Sequence, residues 1–298
     1  MEVLSSLFQD TINEVQALFN ASAATVVTEH NVYQPGEQAT IPFVDKIIDG
    51  LILPGSGING MEHLSALLDK ARAGKSCLLL LEHYSNLDLP LFSYLLRNDS
   101  ERGKEVADAL VAVAGIKLNE ASPTVAAFTS AYTRLVIYPS RSLQGLDSEK
   151  DRDELIRVNT INRAAMKALL TIKTTGKLLL VFPSGTRYRP WDLSSKKGVR
   201  EIDSYIKSFD LMCLVAINGV LLHVREDDSV PEGHIKGDMM DDYVSRGVVQ
   251  MTAGPVLSCA DFRNAARARA EASGVEDKKQ ASVDALMEAL EVMHNTPR

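Results

Sequence analysis

The sequence predicts an α/β fold in which a mixed central β-sheet is flanked by helices and preceded by a small N-terminal helical region. Two observations predict this class. Short apolar runs of strand length recur along the chain, and segments with apolar residues at helical spacing lie between them. With 298 residues, of which 45% are hydrophobic, the chain is long enough to bury a sizeable core.

The N-terminal region is expected to be helical. Apolar residues from Leu4 to Phe19 recur at helical spacing and form one stripe, and a short helix is expected over residues 42–51. The stripe lacks the lysine-rich flank of an interfacial helix, which favours packing on the protein itself. A Pro-Gly-Ser-Gly turn at residues 54–57 marks a boundary. We therefore expect a helical region over 1–58 and an α/β domain over 59–298.

Strands and helices are expected to alternate in the larger domain. Further helices are predicted where apolar residues recur at helical spacing, over residues 64–74, 89–96, 155–172 and 261–294. Buried strands are predicted where apolar runs are continuous, over residues 76–82, 109–114, 135–138, 178–182 and 211–217.

Charge and hydropathy exclude several classes of protein. The net charge of −7 argues against a nucleic-acid partner. No stretch approaches the roughly 18–20 apolar residues that span a bilayer. The first ten residues contain no lysine or arginine, unlike a signal peptide. A soluble cytoplasmic protein is expected, with peripheral membrane contact left open. The cysteines are expected to be buried, reduced thiols.

The first segment that could carry chemistry contains His83 and Asp88. It follows a predicted strand and precedes a predicted helix, where open α/β sheets place ligands. Across a turn, Asp88 could accept a hydrogen bond from one imidazole nitrogen and leave the other as a general base. The alternative is a structural histidine paired with a nearby carboxylate. No third ligand stands at a telling spacing, so no metal is expected.

The second segment runs from Phe182 to Pro190 and also follows a predicted strand. In an extended backbone, Arg187 and Arg189 would point the same way and suit a phosphate monoester. The alternative is a solvated basic loop. Arg141, after another predicted strand, could add a third positive group.

Together the two segments resemble the glycerolipid acyltransferase superfamily, which acylates glycerol 3-phosphate and lysophosphatidic acid. The family's His-x4-Asp pattern is matched by His83 and Asp88. Its later Phe-Pro-x-Gly-x-Arg pattern is matched by four residues, which are Phe182, Pro183, Gly185 and Arg187.

Within this superfamily, the chain looks similar to the soluble plant plastid-type glycerol-3-phosphate acyltransferase. Ser184 stands where integral-membrane members usually carry Glu, and Arg187 and Arg189 match the plastid Arg-x-Arg-Pro segment. Arg141 matches one member of a further basic pair, whereas Ser142 stands where that pair has a histidine.

The resemblance implies roles for these residues and names the substrates. His83 and Asp88 would be catalytic, and Arg187, Arg189 and Arg141 would bind the phosphate of glycerol 3-phosphate. Ser184, Gly185 and Ser142 would have supporting roles, the backbone near Ser184 and Gly185 as a candidate oxyanion site. The donor would be an acyl carrier protein or coenzyme A thioester, with no metal or bound cofactor. The location would be the cytoplasm, or the plastid stroma for a mature plant-type enzyme.

Three alternatives stay open at this point. The first is a lysophosphatidic acid acyltransferase, which differs only in its acceptor. The second is a hydrolase that uses Ser85 or Ser184 as its nucleophile, although neither lies in a Gly-x-Ser-x-Gly elbow. The third is a non-catalytic module that binds a lipid or an acyl carrier.

Overall fold

The structure is a computed structural model that describes residues 2–20, 26–120, 123–143, 150–226 and 239–296. Its helices are α1 Leu4–Asn20, α2 Ile41–Asp49, α3 Met61–Arg72, α4 Asp88–Asp99, α5 Glu101–Ala109, α6 Lys117–Glu120, α7 Pro123–Ser130, α8 Arg152–Ile172, α9 Ile202–Ser208, α10 Cys259–Ala272 and α11 Lys278–Asn295. Its strands are β1 Tyr33–Gln34, β2 Gly57–Asn59, β3 Cys77–Leu81, β4 Leu110–Gly115, β5 Arg134–Ile137, β6 Leu178–Val181, β7 Leu211–Asn218, β8 Leu222–His223, β9 Tyr243–Val244, β10 Gln250–Ala253 and β11 Leu257–Ser258.

The first of two compact units contains Met1–Asp49, Val111–Ile172 and Arg225–Asp242. In it, β5 pairs in antiparallel fashion with β1 and in parallel with β4. Helix α1 packs on α2 and α7, and α8 packs on β5. Leu4 and Val15 of the predicted N-terminal stripe are fully buried, so this stripe does pack on its own protein.

The second unit contains Gly50–Leu110, Lys173–Val224 and Tyr243–Arg298. Strand β3 pairs in parallel with β6 on one side and with β7 on the other. Strand β7 pairs in antiparallel fashion with β10 and β11, and β10 pairs in parallel with β2. Every residue of β3 is buried, which is why this strand reads as an uninterrupted apolar run.

The predicted α/β class, with a mixed arrangement of strands and a helical N-terminal region, is confirmed. Helix α5 was not predicted, because its sequence is mostly polar and charged; it begins where Ser100 accepts a hydrogen bond from the amide of Gly103. The division of the chain after residue 58 stays a prediction. Within the described ranges, no helix has both the length and the apolar character needed to cross a membrane.

Candidate active site

The two segments predicted to carry chemistry follow neighbouring parallel strands of the second unit. His83 comes after β3, and Phe182 comes after β6. The carboxyl ends of parallel neighbours lie at the same edge of a sheet, which brings the segments together. The amide of Tyr188 donates to the carbonyl of His83 over 2.8 Å. The His83 ring also stacks on Phe182, with 4.0 Å between the ring centroids. Residues far apart in sequence thus form one site.

His83 and Asp88 are hydrogen-bonded across a tight turn. The Nδ1 atom of His83 lies 2.9 Å from Oδ2 of Asp88, the first residue of α4. The same Oδ2 accepts the backbone amides of Tyr84 over 2.6 Å and Ser85 over 2.8 Å. Because an ionised carboxylate only accepts hydrogen bonds, Nδ1 carries the imidazole proton. The lone pair that can act as a base is therefore on Nε2.

Burial separates the roles that this pair could have. The Asp88 side chain is 5% exposed, whereas that of His83 is 16% exposed. The carboxylate is thus held inside the turn, while the imidazole keeps some access to the surroundings. This is the arrangement expected of a base whose tautomer and direction are set by a buried acid.

Gly185 lets the second segment turn after β6. Its φ is +63°, a conformation that side chains disfavour, and a Cβ would lie 3.1 Å from Cγ1 of Val199. Its amide donates to the carbonyl of Phe182 over 2.9 Å. A side chain at this position would therefore disturb the turn that leads into the two arginines. The supporting role expected of Gly185 stays a prediction.

Neither nearby serine directs its hydroxyl proton at His83. The hydroxyl of Ser85 donates to Oδ1 of Asp88 over 2.9 Å. The hydroxyl of Ser184, which is 5% exposed, donates to the carbonyl of Thr186 over 2.6 Å. Both serines therefore stabilise turns, and a hydrolase would need to break these bonds to gain its nucleophile.

The two arginines of the second segment differ in burial. Arg187 is only 8% exposed, whereas Arg189 is half-buried. The Arg189 amide donates to the hydroxyl of Ser195 over 2.8 Å, and Arg189 forms a short antiparallel bridge with Asp192. Since Tyr188 between them is bonded to His83, both arginines are tied through the backbone to the candidate base. The expected role of the two guanidinium groups in binding an anionic group of a substrate stays a prediction.

A network that the sequence did not reveal lies beside His83. Glu82 is buried, and its carboxylate accepts the hydroxyl of Tyr84 over 3.2 Å and the amide of Ile217 over 2.7 Å. His294, in α11, places Nδ1 3.1 Å from Oε2 of Glu82. Burial raises the pKa of Glu82, although the Ile217 amide and His294 oppose the rise. Burial, and next the charge of Glu82, also raises the pKa of Tyr84.

The same network touches the arginine segment. The rings of Tyr84 and Tyr188 meet edge to face, with 5.9 Å between centroids. The Nζ atom of Lys196 lies 4.8 Å above the Tyr188 ring. No local pattern in the sequence could have shown the contact between Glu82 and His294, because His294 is near the end of the chain and its spacing from Glu82 has no periodic meaning. Only the packing of α11 on β7 brings them together.

The cysteines do not provide a nucleophile for this site. Cys77, Cys213 and Cys259 are buried, and burial raises the pKa of each thiol to about 12. A raised pKa disfavours the reactive thiolate. Among the residues that the structure describes, no group of three or more His, Cys, Asp or Glu side chains could hold a metal ion.

Two of the predicted site residues lie outside the described side chains. Arg141 and Ser142 fall in a short helical turn whose backbone is described but whose side chains are not. Their roles stay predictions. A cleft of about 480 Å³ in the first unit, lined by Ile156 and Arg157 among others, contains none of the predicted site residues.

No protein-family model and no curated protein matches the chain. Among solved structures, the chain is similar to the 1-acyl-sn-glycerophosphate (LPA) acyltransferase PlsC from Thermotoga maritima. The two are 14% identical with a TM-score of 0.43, over 86% of this chain and 79% of that chain. A likeness this distant carries no conclusion about activity.

Proposed function

We propose that this protein transfers a fatty acyl group from a thioester to the sn-1 hydroxyl of glycerol 3-phosphate, which yields lysophosphatidic acid. The observation that carries this proposal is the contact between the two segments. The Tyr188 amide bonds to the carbonyl of His83, so a histidine oriented by Asp88 adjoins a segment that holds two arginines. A base beside an anion site is what acylation of a phosphorylated alcohol requires.

The arginines supply the acceptor site in this proposal. The phosphate of glycerol 3-phosphate binds to Arg187 and Arg189. Guanidinium groups suit this role because they give paired hydrogen bonds to phosphate oxygens. Binding the phosphate at one end directs the hydroxyl at the other end towards His83, and positioning of this kind lowers the barrier to reaction.

The chemical step follows from the His83 tautomer. Nε2 of His83 takes the proton of the sn-1 hydroxyl as the oxygen attacks the thioester carbonyl carbon. A carbon–oxygen bond forms and a tetrahedral intermediate results. When the intermediate collapses, the carbon–sulfur bond breaks and the imidazolium returns the proton to the departing thiolate. Asp88 stabilises the imidazolium while it exists.

The donor in this proposal is an acyl thioester of acyl carrier protein or of coenzyme A. A thioester is already activated for acyl transfer, and the acceptor hydroxyl is the nucleophile. The reaction therefore needs no metal ion, no bound cofactor and no acyl-enzyme intermediate.

The test is an assay with purified protein, radiolabelled glycerol 3-phosphate and either palmitoyl-acyl carrier protein or palmitoyl-coenzyme A. We expect butanol-extractable lysophosphatidic acid that disappears with His83→Ala. His63→Ala, which changes a histidine paired with Glu62 on the surface of α3, is the matched control and keeps its activity.

Other outcomes of this assay favour the alternatives. Acylation of lysophosphatidic acid, with no acylation of glycerol 3-phosphate, would indicate a lysophosphatidic acid acyltransferase. Binding of the acyl carrier without turnover on either acceptor would indicate a non-catalytic module. Labelling of a serine by a fluorophosphonate would return the hydrolase to consideration.

A further inference from the structure

The loop after the arginine segment exposes two large apolar side chains. This loop, residues 190–197, is called the tryptophan loop below. Leu193 is 73% exposed and Trp191 is 45% exposed. No other large apolar side chain that the structure describes is as exposed as Leu193. Exposing such groups together is costly in water, so paired exposure of this kind points to a surface that covers them.

The tryptophan loop is held in its conformation by its own polar groups. Ser195 is buried, and its hydroxyl donates to the carbonyl of Asp192 over 2.6 Å while accepting the Arg189 amide. The Asp192 carboxylate accepts both the amide of Ser194, over 3.0 Å, and its hydroxyl, over 2.6 Å. These bonds fix the turn that lifts Trp191 and Leu193 outward. The hydrogen bonds of the loop therefore hold both side chains in their exposed positions.

The charges around the loop favour a lipid surface over an acidic protein. Lys196 pairs with Glu291 at 3.2 Å, and Arg200 pairs with Asp277 at 2.9 Å. Lys197 is exposed. A highly acidic partner would be met by several cations, and two of these three already have acidic partners. A tip made of Trp and Leu beside one exposed lysine instead matches the boundary between lipid headgroups and acyl chains.

We propose that Trp191 and Leu193 insert into the surface of a lipid bilayer. The inference rests on the proposed function for its purpose, because a newly made acyl lipid must leave the site for a bilayer. Trp191 is two residues from Arg189, so insertion places the candidate phosphate site at the lipid surface. Indole suits this depth because its ring is apolar and its N–H remains hydrogen-bonded at the headgroups.

The chain contains one tryptophan, so its fluorescence reports on this loop alone. The protein is titrated with vesicles of phosphatidylcholine, with and without phosphatidylglycerol. We expect a blue shift of Trp191 emission with both kinds of vesicle. Phosphatidylglycerol should change the lipid concentration needed only slightly, because two of the three cations beside the loop already have acidic partners. Leu193→Ser should require roughly tenfold more lipid for half of the shift, since it removes one buried apolar side chain. Leu170→Ser, at a leucine that is 59% exposed in α8, is the matched control and should titrate like the unchanged protein.

The outcomes that overturn the proposal are specific. Absence of any shift with both kinds of vesicle would exclude insertion of Trp191. Equal titrations for Leu193→Ser and Leu170→Ser would exclude insertion of the leucine. A shift with acyl carrier protein, but none with vesicles, would assign the loop to a protein partner. The vesicle titration contains no substrate, so it tests membrane insertion even if the proposed reaction fails. As a second measurement, Trp191→Ala should no longer cosediment with the vesicles.

Discussion

Two histidine–carboxylate pairs lie side by side at the end of β3. In one, His83 meets Asp88 at 2.9 Å across five positions of sequence. In the other, His294 meets Glu82 at 3.1 Å, from the far end of the chain. Glu82 and His83 are adjacent residues, yet their side chains belong to different networks.

The difference between the pairs lies in what surrounds each carboxylate. Asp88 accepts two backbone amides and a serine hydroxyl at the start of a helix, where negative charge is favoured. Glu82 accepts one backbone amide and the hydroxyl of Tyr84, and burial raises its pKa. Asp88 lies in the same turn as His83 and orients it, whereas Glu82 meets a histidine of α11 and ties that helix to the sheet. We therefore expect the His83–Asp88 pair to be catalytic and the His294–Glu82 pair to be a structural clasp.

The largest expected effect tests whether this division of roles is right. His83→Ala should lower kcat by ~10²–10⁴, with little change in KM, because a general base acts in the transition state. His294→Ala should lower kcat by less than about tenfold, since a positioning effect acts only indirectly. Steady-state kinetics on glycerol 3-phosphate give both values. Equal losses of kcat in His83→Ala and His294→Ala would show that the two pairs do not differ in role.

A smaller effect is expected at the proposed anion site beside His83. Arg187→Ala should raise KM for glycerol 3-phosphate by roughly tenfold to a hundredfold, since a charge-assisted hydrogen bond contributes about 1.5–3 kcal/mol. Arg200→Ala is the matched control, because that arginine pairs with Asp277. With glycerol as acceptor, the Arg187 variant should match the unchanged protein. A similar loss on glycerol would show that Arg187 does not act on the phosphate.

The sequence was sufficient to predict the parts of this site that arise from local patterns. Continuous apolar runs predicted β3 and β6, and the candidate site residues follow directly after each run. The contact of His83 with Asp88 needs only a turn between a strand and a helix, so its residues could be named in advance. The order of the strands was not predictable, and this order is what brings Tyr188 to His83.

What the sequence could not predict depends on tertiary packing. Glu82 reads as the last residue of a strand, and His294 as one of several polar residues in a helix. Their contact depends on where α11 packs, which no spacing encodes. Similarly, the bracing of Trp191 depends on Ser195, a serine that is buried although its neighbours Ser194 and Lys196 are more exposed.

The smallest expected effect concerns the structural pair and its dependence on pH. Because burial raises the pKa of Glu82 above its ordinary value of 4.5, the folded chain holds this proton more tightly than the unfolded chain. As pH rises above 4.5 towards the folded value, ionisation of Glu82 therefore lowers the free energy of unfolding. A tenfold difference in acidity between folded and unfolded chains amounts to about 1.4 kcal/mol. Urea unfolding across this window should show the decline in the unchanged protein and a smaller one in Glu82→Gln.

The control for this measurement has the opposite sign. A hydrogen bond from Asn295, with help from Lys196, holds the pKa of Glu291 below 4.5. Its stabilising contribution is lost only as pH falls, so Glu291→Gln should leave the decline above 4.5 unchanged. Repeating the urea unfolding with Glu82→Gln in protein that also carries His294→Gln separates the effect of burial on Glu82 from the effect of its contact with His294. If Glu82→Gln keeps the full decline in the free energy of unfolding, Glu82 is not the group that titrates. The two histidine–carboxylate pairs would then differ only in their effects on catalysis.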